Sequence, residues 1–594
     1  MRCVQRWNPI ISVIERGVPN KMKTNIPRPE YPNPQFARSS WMNLNGQWQF
    51  ETDQSRSGRE RKLYLADALQ GEITVPFCPE SVLSGVGFKD FLSAVWYRRT
   101  VDIPQEKLDG RVFLHFGAVD YEAYVYVNGQ PVCEHRGGYV HFQTEITSYV
   151  HAGENTIVVC AEDDTRSGLI PSGKQSLWHD SRGCHYTRTT GIWQTVWLEF
   201  TPKTYIRSLR MIPDAASGTV QLLAQTEGAA KFTARASFNG QDVGSVSCAS
   251  DGGCIALSLK VSQKILWDVG EGNLYDLTLT YGDDTVTSYF GLRSVRLDGR
   301  KFMLNDRSVF MRLVLDQGFY PDGIYTAKSE DDLVRDIELS MAAGFNGARL
   351  HEKVFEPRFL YHCDRMGYLV WGEFPNWGLD YSDPKAAASV IPEWLEAVER
   401  DINHPAIIGW CPFNETWDTD GRKQWDELLR MTYRVTKSVD PTRPCIDTSG
   451  NFHVETDIYD THDYEQDTVV FRDRYAALTE KHELFDVHHD HCGAQIWDGK
   501  APVFISEYGG IRWAGADAEG WGYGQAPESE DAFKARYKGL TDVLLDNPCM
   551  CGFCYTQLYD VEQELNGLYT YHREPKFDVA FFKAVNARKA AIEE

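Results

Sequence analysis

The sequence predicts a multidomain protein of mixed β and α/β class, with two β-sandwiches followed by a C-terminal (β/α)8 TIM barrel. The chain has 594 residues, more than one hydrophobic core usually holds. Its first half consists of short apolar or alternating runs separated by Gly, Asn, Asp and Pro turns. After residue 300, apolar strands alternate with helical stretches. This change of pattern separates a sandwich region from a barrel region.

Residues 1–25 are predicted to form an N-terminal extension. Asn8, Pro9 and Glu15 interrupt its apolar residues, so it lacks the run of about 7 to 15 apolar residues that a signal peptide needs. No stretch of the chain approaches the roughly 20 apolar residues of a membrane span. The formal net charge of −23 would repel nucleic acid or an anionic membrane surface. We therefore expect a cytoplasmic protein that binds neither nucleic acid nor membranes.

Residues 26–202 are predicted to form a β-sandwich, because runs such as RVFLHFG and YEAYVYVNG are apolar or alternating between turns. Asn128-Gly129 is a strong hairpin signal, since both residues tolerate the positive φ of a type I′ turn. A polar, aromatic-rich segment, IPSGKQSLWHDSRGCHYTRTTGIW, follows the strands. It is too long for a turn, which suggests that it reaches a functional site.

Residues 203–292 repeat the all-β pattern in a smaller unit. TVQLLAQT, KFTARASFNG and LYDLTLTYG are separated by Gly and Asp turns over about 90 residues, a length typical of an immunoglobulin-like β-sandwich. We therefore expect a second sandwich between the first one and the barrel.

Residues 293–594 are predicted to form the barrel. Hydrophobic residues recur at three- and four-residue steps in segments such as DDLVRDIELSMAAG, as in amphipathic helices. Eight strands in about 300 residues favour a closed (β/α)8 barrel. A doubly wound open sheet is the alternative, but no glycine-rich phosphate motif opens a helix. The eight candidate strands are SVFMRLVL, FNGARL, GYLVWGEF, AIIGWCPFNE, PCIDTSG, DIYDTHDY, PVFISEY and GFCYTQL.

Polar residues at the carboxyl ends of barrel strands are the candidates for chemistry, because that end carries the active site in such barrels. Carboxylates dominate among them, and no metal-ligand spacing accompanies them. The CxxC spacing of Cys551 and Cys554 has no second pair or nearby His, so we interpret these thiols as core residues and predict no metal or cofactor. The strand-end residues are Asp316, Arg349, His351, Glu373, Asn414, Glu415, Asp463, Tyr464 and Glu507.

Glu415 and Glu507 best satisfy what cleavage of a glycosidic bond requires. One carboxyl must donate a proton to the leaving oxygen, while the other attacks or stabilises the anomeric carbon. Each Glu follows an unbroken apolar run, IIGWCPFN and PVFIS, which holds it at a strand tip. The alternative interpretation of either residue alone is a strand-end Glu that simply meets solvent.

The segments around these two residues resemble those of glycoside hydrolase family 2. NHPAIIGWCPFNETW is similar to the family's acid/base signature, and APVFISEYGG is similar to its nucleophile strand. WMNLNGQWQF, FGAVDYEAYVYVNG and TTGIWQTVWLE resemble its N-terminal sugar-binding jelly roll. FNGARLHEKVFEPRFLYHCDRMGYLVWGEFP resembles strands two and three of its barrel. The resemblance covers nearly the whole chain and implies a jelly roll, an immunoglobulin-like sandwich and a catalytic (β/α)8 barrel.

The resemblance implies a role for each catalytic glutamate. Glu415 would protonate the leaving oxygen and later activate water, and Glu507 would form the glycosyl-enzyme intermediate, with retention of configuration. Their carboxyls should lie about 5 to 5.5 Å apart, and the pKa of Glu415 should be shifted upward relative to that of Glu507. Asn414 would bind the sugar 2-hydroxyl, and Arg349 would hydrogen-bond the nucleophile and keep it ionised.

Further residues are expected near the sugar. By the resemblance, Tyr464 would orient the nucleophile, and His462, Asp463 and His351 would contact the substrate. Asp180 would reach the sugar from the polar loop, as an acidic residue does in family 2 galactosidases, with the neighbouring His179 as the alternative. The candidates for stacking on a sugar ring are Trp371, Trp377, Trp410 and Trp513, although an aromatic residue in a barrel is more often part of the core.

Two departures from the family pattern bear on the substrate. Family members usually carry a Trp on strand eight beneath the sugar, and the resemblance places Tyr555 there as a substrate-binding residue. Glucuronidases of the family carry an Asn-x-Lys motif that clamps the substrate carboxylate, whereas this chain has Glu564, Leu565 and Asn566 there. An acidic Glu564 should repel a uronate. We therefore disfavour a glucuronidase unless another cation takes over, the candidates being Arg512, Arg573 and Lys353.

The predicted function is a retaining exo-β-glycosidase that hydrolyses terminal non-reducing β-linked sugars, with a β-galactosidase-like substrate. The alternatives are a β-glucuronidase or β-galacturonidase, an arabinopyranosidase or plant-glycoside hydrolase of the same family, and a non-catalytic carbohydrate-binding protein. The expected partner is a small-molecule glycoside or oligosaccharide. The loop at 165–192 and the segment 510–530 should wall the site into a pocket for one terminal sugar. Family relatives are commonly dimers or tetramers, so the resemblance leaves a homo-oligomer open.

Overall fold

The computed structural model describes residues 26–450, 452–485, 494–514 and 519–593. In this part of the chain, two β-sandwiches precede a curled parallel sheet whose strands alternate with helices. This is the fold class that the sequence predicted. The predicted N-terminal extension, residues 1–25, lies outside the described residues.

The first sandwich packs two antiparallel sheets around one apolar core. Alternate residues of a strand point to opposite faces, and Ile157, Val159 and Ala161 accordingly line this core. Its strands are β1 (Trp41–Asn43), β2 (Gly46–Thr52), β3 (Gly71–Val75), β4 (Ala94–Ile103), β5 (Arg111–Phe116), β6 (Val119–Asp120), β7 (Glu122–Val127), β8 (Gln130–Arg136), β9 (Phe142–Glu145), β10 (Gly153–Glu162), β11 (Gly191–Ile192) and β12 (Val196–Thr201). The sheet orders are β1-β12-β5-β9 and β3-β2-β4-β10-β7-β8, with β11 paired to β6.

The predicted hairpin joins β7 to β8. Asn128 and Gly129 have φ values of 49° and 75°, so both central residues adopt the left-handed conformation that a type I′ turn requires. The pairing of Val127 with Gln130 confirms the two-residue loop.

The second sandwich has the immunoglobulin-like size that the sequence predicted. Its two sheets, β13-β14-β17 and β16-β15-β18-β19, enclose a separate core that includes Leu222, Phe232 and Leu279. The strands are β13 (Tyr205–Asp214), β14 (Thr219–Glu227), β15 (Ala230–Phe238), β16 (Gln241–Ser250), β17 (Gly253–Lys260), β18 (Tyr275–Tyr281) and β19 (Asp284–Phe290).

The barrel follows a small antiparallel sheet, and its described residues contain seven parallel strands, in the order β26-β25-β24-β23-β29-β28-β27. Its inner strands are apolar almost throughout, as expected for a parallel sheet covered by helices. The small sheet consists of β20 (Val295–Asp298), β21 (Lys301–Leu304) and β22 (Arg307–Ser308). The barrel strands are β23 (Met311–Asp316), β24 (Gly347–Leu350), β25 (Leu369–Glu373), β26 (Ile407–Cys411), β27 (Tyr459–Asp463), β28 (Val503–Gly509) and β29 (Met550–Thr556).

The helices follow the amphipathic segments of the sequence. In α1, for example, Leu333, Ile337 and Ser340 are buried on one face, and Ser329 begins the helix with a capping box to Asp332. None of the helices in the described residues combines the length and the apolar character needed to cross a bilayer. Their bounds are α1 (Glu330–Ala342), α2 (Pro357–Met366), α3 (Ala387–Asp401), α4 (Glu427–Val439), α5 (Thr468–Glu480), α6 (Glu530–Leu545) and α7 (Val579–Asn586).

The predicted fifth barrel strand, PCIDTSG, is irregular. It lies beside β26 through isolated parallel bridges at Cys445 and Ser449. On its other side, Ser449 Oγ donates to Asp460 Oδ2 of β27 at 2.7 Å, and the Gly450 amide donates to the same oxygen at 3.1 Å. Hydrogen bonds to the Asp460 side chain thus take the place of a strand ladder on the β27 side. The segment fills the position between β26 and β27.

The long polar loop between β10 and β11 crosses from the first sandwich to the barrel. The Ser172 amide donates to Trp377 O at 2.8 Å, and the Gly173 amide donates to Pro375 O at 3.1 Å. Gly173 has a φ of +57°, and a Cβ atom there would lie 2.5 Å from Glu352 O, so only glycine permits this close approach. The loop therefore reaches the carboxyl ends of the barrel strands.

Candidate active site

The barrel brings Glu415 and Glu507 together. Glu507 lies within β28, and Glu415 follows β26 by four residues. A carboxylate oxygen of each residue and a ring nitrogen of His462 all lie within 4.8 Å of one another. The two glutamates singled out from the sequence therefore form one site.

The backbone of Glu415 adopts an unusual conformation just beyond the end of β26. Its φ of +42° is uncommon for a residue other than glycine, and such conformations cluster at functional sites. Its amide donates to Ser449 O at 2.9 Å. The Glu415 side chain is 34% exposed, whereas that of Glu507 is 6% exposed. Glu415 thus faces the mouth of the site, and Glu507 lies at its base.

Arg349 connects the base of the site. Its Nη1 donates to Glu507 Oε1 at 3.2 Å and to Ser506 O at 2.7 Å. Its Nη2 donates to Asn414 Oδ1 at 3.1 Å. Burial works against the charge of Arg349, but Glu373 and Glu507 raise the pKa of its guanidinium. A buried positive charge therefore lies directly beside Glu507, in the place that the sequence predicted.

Tyr464 holds the other oxygen of Glu507. Its hydroxyl donates to Glu507 Oε2 and lies 3.0 Å from Thr556 Oγ1. The ring of Tyr523 stacks on that of Tyr464. Burial and the charge of Glu507 raise the pKa of Tyr464, so the hydroxyl keeps its proton and remains a donor.

His462 lies between the two glutamates. Its Nδ1 is 2.7 Å from Glu415 Oε1, and its Nε2 is 3.5 Å from Glu507 Oε1. Burial alone would lower the pKa of His462, but Glu507 and Glu415 raise it. Burial would likewise raise the pKa of Glu415, but the hydrogen bond and charge of His462 lower it to about 2. The expected upward shift of Glu415 was therefore wrong, because His462 stabilises the carboxylate.

The same three groups are the set within the described residues that could hold a metal ion. Their lone pairs are already engaged, since His462 and Glu415 bond each other at 2.7 Å. Glu373 is no better placed, because one of its oxygens accepts from Arg349 and the other bonds His351 Nδ1 at 3.0 Å. The donor geometry thus favours hydrogen bonding within the protein over a cation.

His351 and Asn414 complete the inner surface. His351 Nε2 lies 3.8 Å from Glu507 Oε1, and burial together with Lys174 lowers the pKa of its ring. The ring is therefore neutral. Asn414 Nδ2 is buried and has no hydrogen-bond partner in the described part of the chain. An orphaned buried donor beside Arg349 and Glu507 suits a substrate hydroxyl.

Asp463 does not face the site. Its Oδ1 accepts from Arg474 at 2.6 Å and its Oδ2 accepts from the Tyr475 hydroxyl at 3.1 Å, both on α5. Residues of a strand alternate in direction, so His462 and Tyr464 point inward while Asp463 points to the helices. The prediction that Asp463 contacts the sugar was wrong for this reason.

Trp371 and Tyr555 are core residues. The Trp371 ring packs on Gly409, and its Nε1 lies 3.4 Å from Met311 Sδ. Tyr555 is fully buried and packs edge-on against Tyr537 of α6. The prediction that Trp371 and Tyr555 contact a sugar was therefore wrong. The residue after Tyr555, Thr556, is the one that bonds Tyr464.

Three further aromatic and acidic candidates can be placed. Trp410 is buried and its Nε1 donates to Asp440, and Trp513 packs on Phe533, so both serve the core. Asp180 is 83% exposed and bonds His179 at 3.0 Å. Its contact with a sugar stays a prediction.

Lys174 is the functional candidate that the sequence reasoning missed. It comes from the polar loop and is 5% exposed, and its ammonium lies 3.5 Å from the centroid of the Trp377 ring. The described residues give it no carboxylate or hydrogen-bond partner. Burial would lower the pKa of Lys174, but Cys184, Glu352 and the two catalytic glutamates raise it. The available signal was a Lys within a loop already expected to reach the site.

Two of the three cations expected from the sequence, Lys353 and Arg573, have partners elsewhere. Lys353 Nζ donates to Tyr325 O at 2.9 Å, and burial lowers its pKa to about 7. Arg573 forms a buried pair with Asp336. Each is committed to a partner inside the barrel wall, so neither replaces the missing clamp lysine.

Glu564, which the resemblance aligns with the Asn of the Asn-x-Lys motif, is buried and hydrogen-bonded. Its Oε2 accepts from the Tyr186 hydroxyl at 2.5 Å, and its Oε1 accepts from Asn566 Nδ2 at 3.0 Å. Burial raises the pKa of Glu564, whereas Lys174 lowers it. The chain thus places a buried acceptor here, anchored by the loop of the first sandwich.

The loop also meets the segment that follows β28. Trp521 Nε1 donates to Gly183 O at 2.5 Å, and Gln563 Nε2 donates to the same oxygen at 2.7 Å. The two segments expected to wall the site are therefore in contact with each other beside it.

Family models match three consecutive regions of the chain. Residues 85–202 match the sugar binding domain of glycosyl hydrolases family 2, residues 204–293 match glycosyl hydrolases family 2, and residues 295–521 match the TIM barrel domain of that family. These regions cover the greater part of the first sandwich, the second sandwich and the greater part of the barrel.

Curated relatives with similar sequences include proteins named as beta-glucuronidases. The chain is 25% identical over 442 residues to the beta-glucuronidase of Rattus norvegicus, which spans 68% of this chain and 67% of the relative. It is 27% identical over 374 residues to a putative beta-glucuronidase of Formosa agariphila, spanning 59% of this chain and 44% of the relative.

Solved structures share the fold. The beta-glucuronidase of Lactobacillus rhamnosus superposes with a TM-score of 0.76 at 21% identity, covering 95% of this chain and 99% of the other. A Ruminococcus gnavus β-glucuronidase in complex with D-glucaro 1,5-lactone gives a TM-score of 0.75 at 20% identity, covering 93% and 98%. The order of all three domains is thus common to these proteins.

Proposed function

We propose that this chain, which belongs to family 2 of the glycosyl hydrolases, is a retaining exo-β-glycosidase with Glu507 as nucleophile and Glu415 as acid/base. Family membership makes it a glycosidase. The short separation of the two carboxylates supports a retaining mechanism, since one oxygen of Glu415 lies within 4.8 Å of one oxygen of Glu507. Retaining enzymes hold the two carboxyls about 5 to 5.5 Å apart, whereas inverting enzymes leave about 6.5 to 9.5 Å for a water molecule.

The contacts assign each residue a task in a double displacement. Glu507 attacks the anomeric carbon while the glycosidic bond breaks, and the leaving oxygen takes a proton from Glu415. Water then gives a proton to Glu415 and displaces Glu507 from the sugar. Arg349 and Tyr464 hold the two oxygens of Glu507 in place, so the attacking atom needs no reorganisation.

Action on a terminal sugar is supported by the enclosing segments. The contact of Trp521 and Gln563 with Gly183 closes one side of the site. Glu564 and Tyr186 lie buried behind it. A closed end of this kind accommodates one sugar and leaves the chain of a polysaccharide no exit on that side.

A neutral, β-galactoside-like sugar is our first choice of substrate. The charges of Glu352, Glu415 and Glu507 raise the pKa of the buried Lys174, and Lys174 in turn lowers that of Glu564, so acidic groups already act on this ammonium. A substrate carboxylate would add another negative charge to this buried group. Sugar hydroxyls instead can donate to Glu564 and accept from Lys174 and Asn414.

A β-glucuronidase or β-galacturonidase is the second candidate. Lys174 is a buried ammonium without an acceptor in the described chain, and a carboxylate is its strongest possible partner. The curated relatives named above are beta-glucuronidases. In this alternative, Lys174 would take the place of the clamp lysine.

Hydrolysis of a panel of nitrophenyl glycosides tests these choices. We expect the β-galactoside to be cleaved faster than the β-glucuronide, the β-galacturonide and the arabinopyranoside. Glu507→Gln should abolish cleavage of all of them. The second candidate would be established if the wild-type protein cleaved only the uronides and the Lys174→Met variant lost that cleavage. A wild-type protein that binds sugars but cleaves none would overturn the enzymatic proposal in favour of a carbohydrate-binding protein.

A further inference from the structure

Five aromatic rings contributed by two domains form a continuous surface at the mouth of the site, which we term the aromatic wall. Its members are Trp178, His185, Trp377, Trp417 and Tyr381. Successive ring centroids lie 5.5, 5.2, 5.7 and 5.4 Å apart along that order. Aromatic rings at such separations attract each other, so the wall is a packed unit built from the sandwich loop and the barrel.

Two members of the wall are open to solvent, whereas Tyr381, at one end of the series, is fully buried. Trp178 is 41% exposed and Trp417 is 43% exposed. These are the exposed tryptophans of the described chain, and both belong to the wall. Trp377, at its centre, is only 6% exposed. Large apolar groups held in water at a pocket rim generally mark a binding surface.

The wall is tied to the acid/base side of the site. Trp377 Nε1 donates to Asn414 O at 3.0 Å, and Trp417 is the second residue after Glu415. Glu415 is the more exposed of the two glutamates. A glycosidase protonates the leaving oxygen with its acid/base residue, so the leaving group must pass beside Glu415 and therefore beside the wall.

One face of the central ring is already covered. The Lys174 ammonium lies 3.5 Å from the Trp377 centroid, and the Trp417 and Trp377 rings form a T-shaped pair with an interplanar angle of 76°. The exposed ring surface of the wall is therefore that of Trp417, together with the part of Trp178 left uncovered by the Arg182 guanidinium, which lies 4.8 Å from the Trp178 centroid. These flat apolar faces carry no fixed charge of their own, which suits a flat ring with an apolar face.

We propose that the aromatic wall is the aglycone subsite and that it takes a leaving group whose ring stacks on Trp417, with Trp178 as the outer contact. This proposal rests on the proposed glycosidase function. An aromatic aglycone and a second pyranose ring both present the required flat apolar face. A leaving group without a ring has no flat face to stack on Trp417, so the wall does not stabilise its binding.

The test compares leaving groups on one sugar, the one cleaved best in the panel. Three substrates are used: the glycosyl fluoride, the methylumbelliferyl glycoside and a disaccharide. Trp417→Ala should lower kcat/KM for the ring-bearing substrates about 3- to 10-fold, mainly through KM, because one stacked pair is worth about 0.5 to 1.5 kcal/mol. The fluoride should change less than about twofold. The ring-bearing substrate whose kcat/KM falls more in Trp417→Ala shows whether the wall favours an aromatic aglycone or a second pyranose ring.

Tyr149→Ala is the matched control, since Tyr149 is 39% exposed on the first sandwich and lies outside the wall. It should leave all three rates unchanged. Equal losses for fluoride and ring-bearing substrates, or no loss in Trp417→Ala and Trp178→Ala, would overturn the subsite. So would a change of oligomeric state in these variants by light scattering, which would make the wall a protein interface. Absence of fluoride cleavage by the wild-type protein would instead overturn the glycosidase function, and the subsite with it.

Discussion

Nδ1 of His462 lies 2.7 Å from Oε1 of Glu415, so the proposed acid/base residue is paired with an imidazole. The raised pKa of His462 and the lowered pKa of Glu415 place the shared proton on the ring. The hydrogen bond offers that proton a direct path to Glu415. The pair, and not the carboxyl alone, is therefore the proton reserve for the leaving oxygen.

This pairing predicts a pH effect of His462→Gln. In the wild-type enzyme, the pair loses its proton as the pH rises through the raised pKa of His462. In the variant, only Glu415 can hold a proton, and its carboxyl titrates below that range. We therefore expect the alkaline limb of kcat/KM to move to lower pH, measured on a glycoside with a poor leaving group.

The control for this profile is His151→Gln, because His151 is exposed on the first sandwich, where its backbone amide donates to Asn155. Its alkaline limb should coincide with that of the wild type. An unshifted limb in His462→Gln would show that the proton does not depend on the pair.

Glu415→Gln should separate proton donation from nucleophilic attack. The variant cannot protonate the leaving oxygen, and general acid catalysis typically contributes about 10²- to 10⁴-fold. We expect a loss of that size in kcat/KM for alkyl glycosides and a much smaller loss for the glycosyl fluoride, which needs little protonation. Glu507→Gln should abolish both. If Glu415→Gln lost equal activity on the alkyl glycosides and on the glycosyl fluoride, the roles of Glu415 and Glu507 would have to be reassigned.

Two tyrosines on opposite sides of β27 form a matched pair. Tyr464→Phe removes the hydroxyl that bonds Glu507, and a hydrogen bond to a charged group is worth about 1.5 to 3 kcal/mol. We expect kcat to fall roughly 10- to 100-fold. Tyr475→Phe removes the hydroxyl that bonds the outward-facing Asp463 and should leave kcat unchanged while lowering Tm. Steady-state kinetics and thermal melts of both variants check this contrast.

The sequence was sufficient for the fold and for the residues whose position follows from a strand end. Glu415, Glu507 and Arg349 follow apolar runs, and their inward direction is set by the barrel. Asp463 and Tyr555 were misplaced, since alternation along a strand decides their direction and one residue of register reverses it. A sequence pattern marks the strand but fixes its register only within a residue or two.

Lys174 and the pairing of His462 with Glu415 could not be predicted in this way. Lys174 belongs to a loop without periodicity, and its position depends on the close approach of Gly173 to the barrel. The direction of the Glu415 pKa depends on a ring nitrogen 2.7 Å away across two strands. Contacts between distant segments of this kind are a property of the folded chain, and no local motif records them.

Acid stability should depend on Glu199, at the junction of the two sandwiches. Burial would raise its pKa, but His115 and Arg38 lower it to about 2 from the usual 4.5. Its contribution to the free energy of unfolding is therefore fully present above pH 4.5 and is lost as the pH falls towards 2, by about 3 kcal/mol in all. Urea unfolding of the wild type and Glu199→Gln at pH 7 and at pH 3.5 measures this: the variant should be less stable at pH 7, and the difference should shrink at pH 3.5. A difference independent of pH would mean that Glu199 acts through packing and not through its charge.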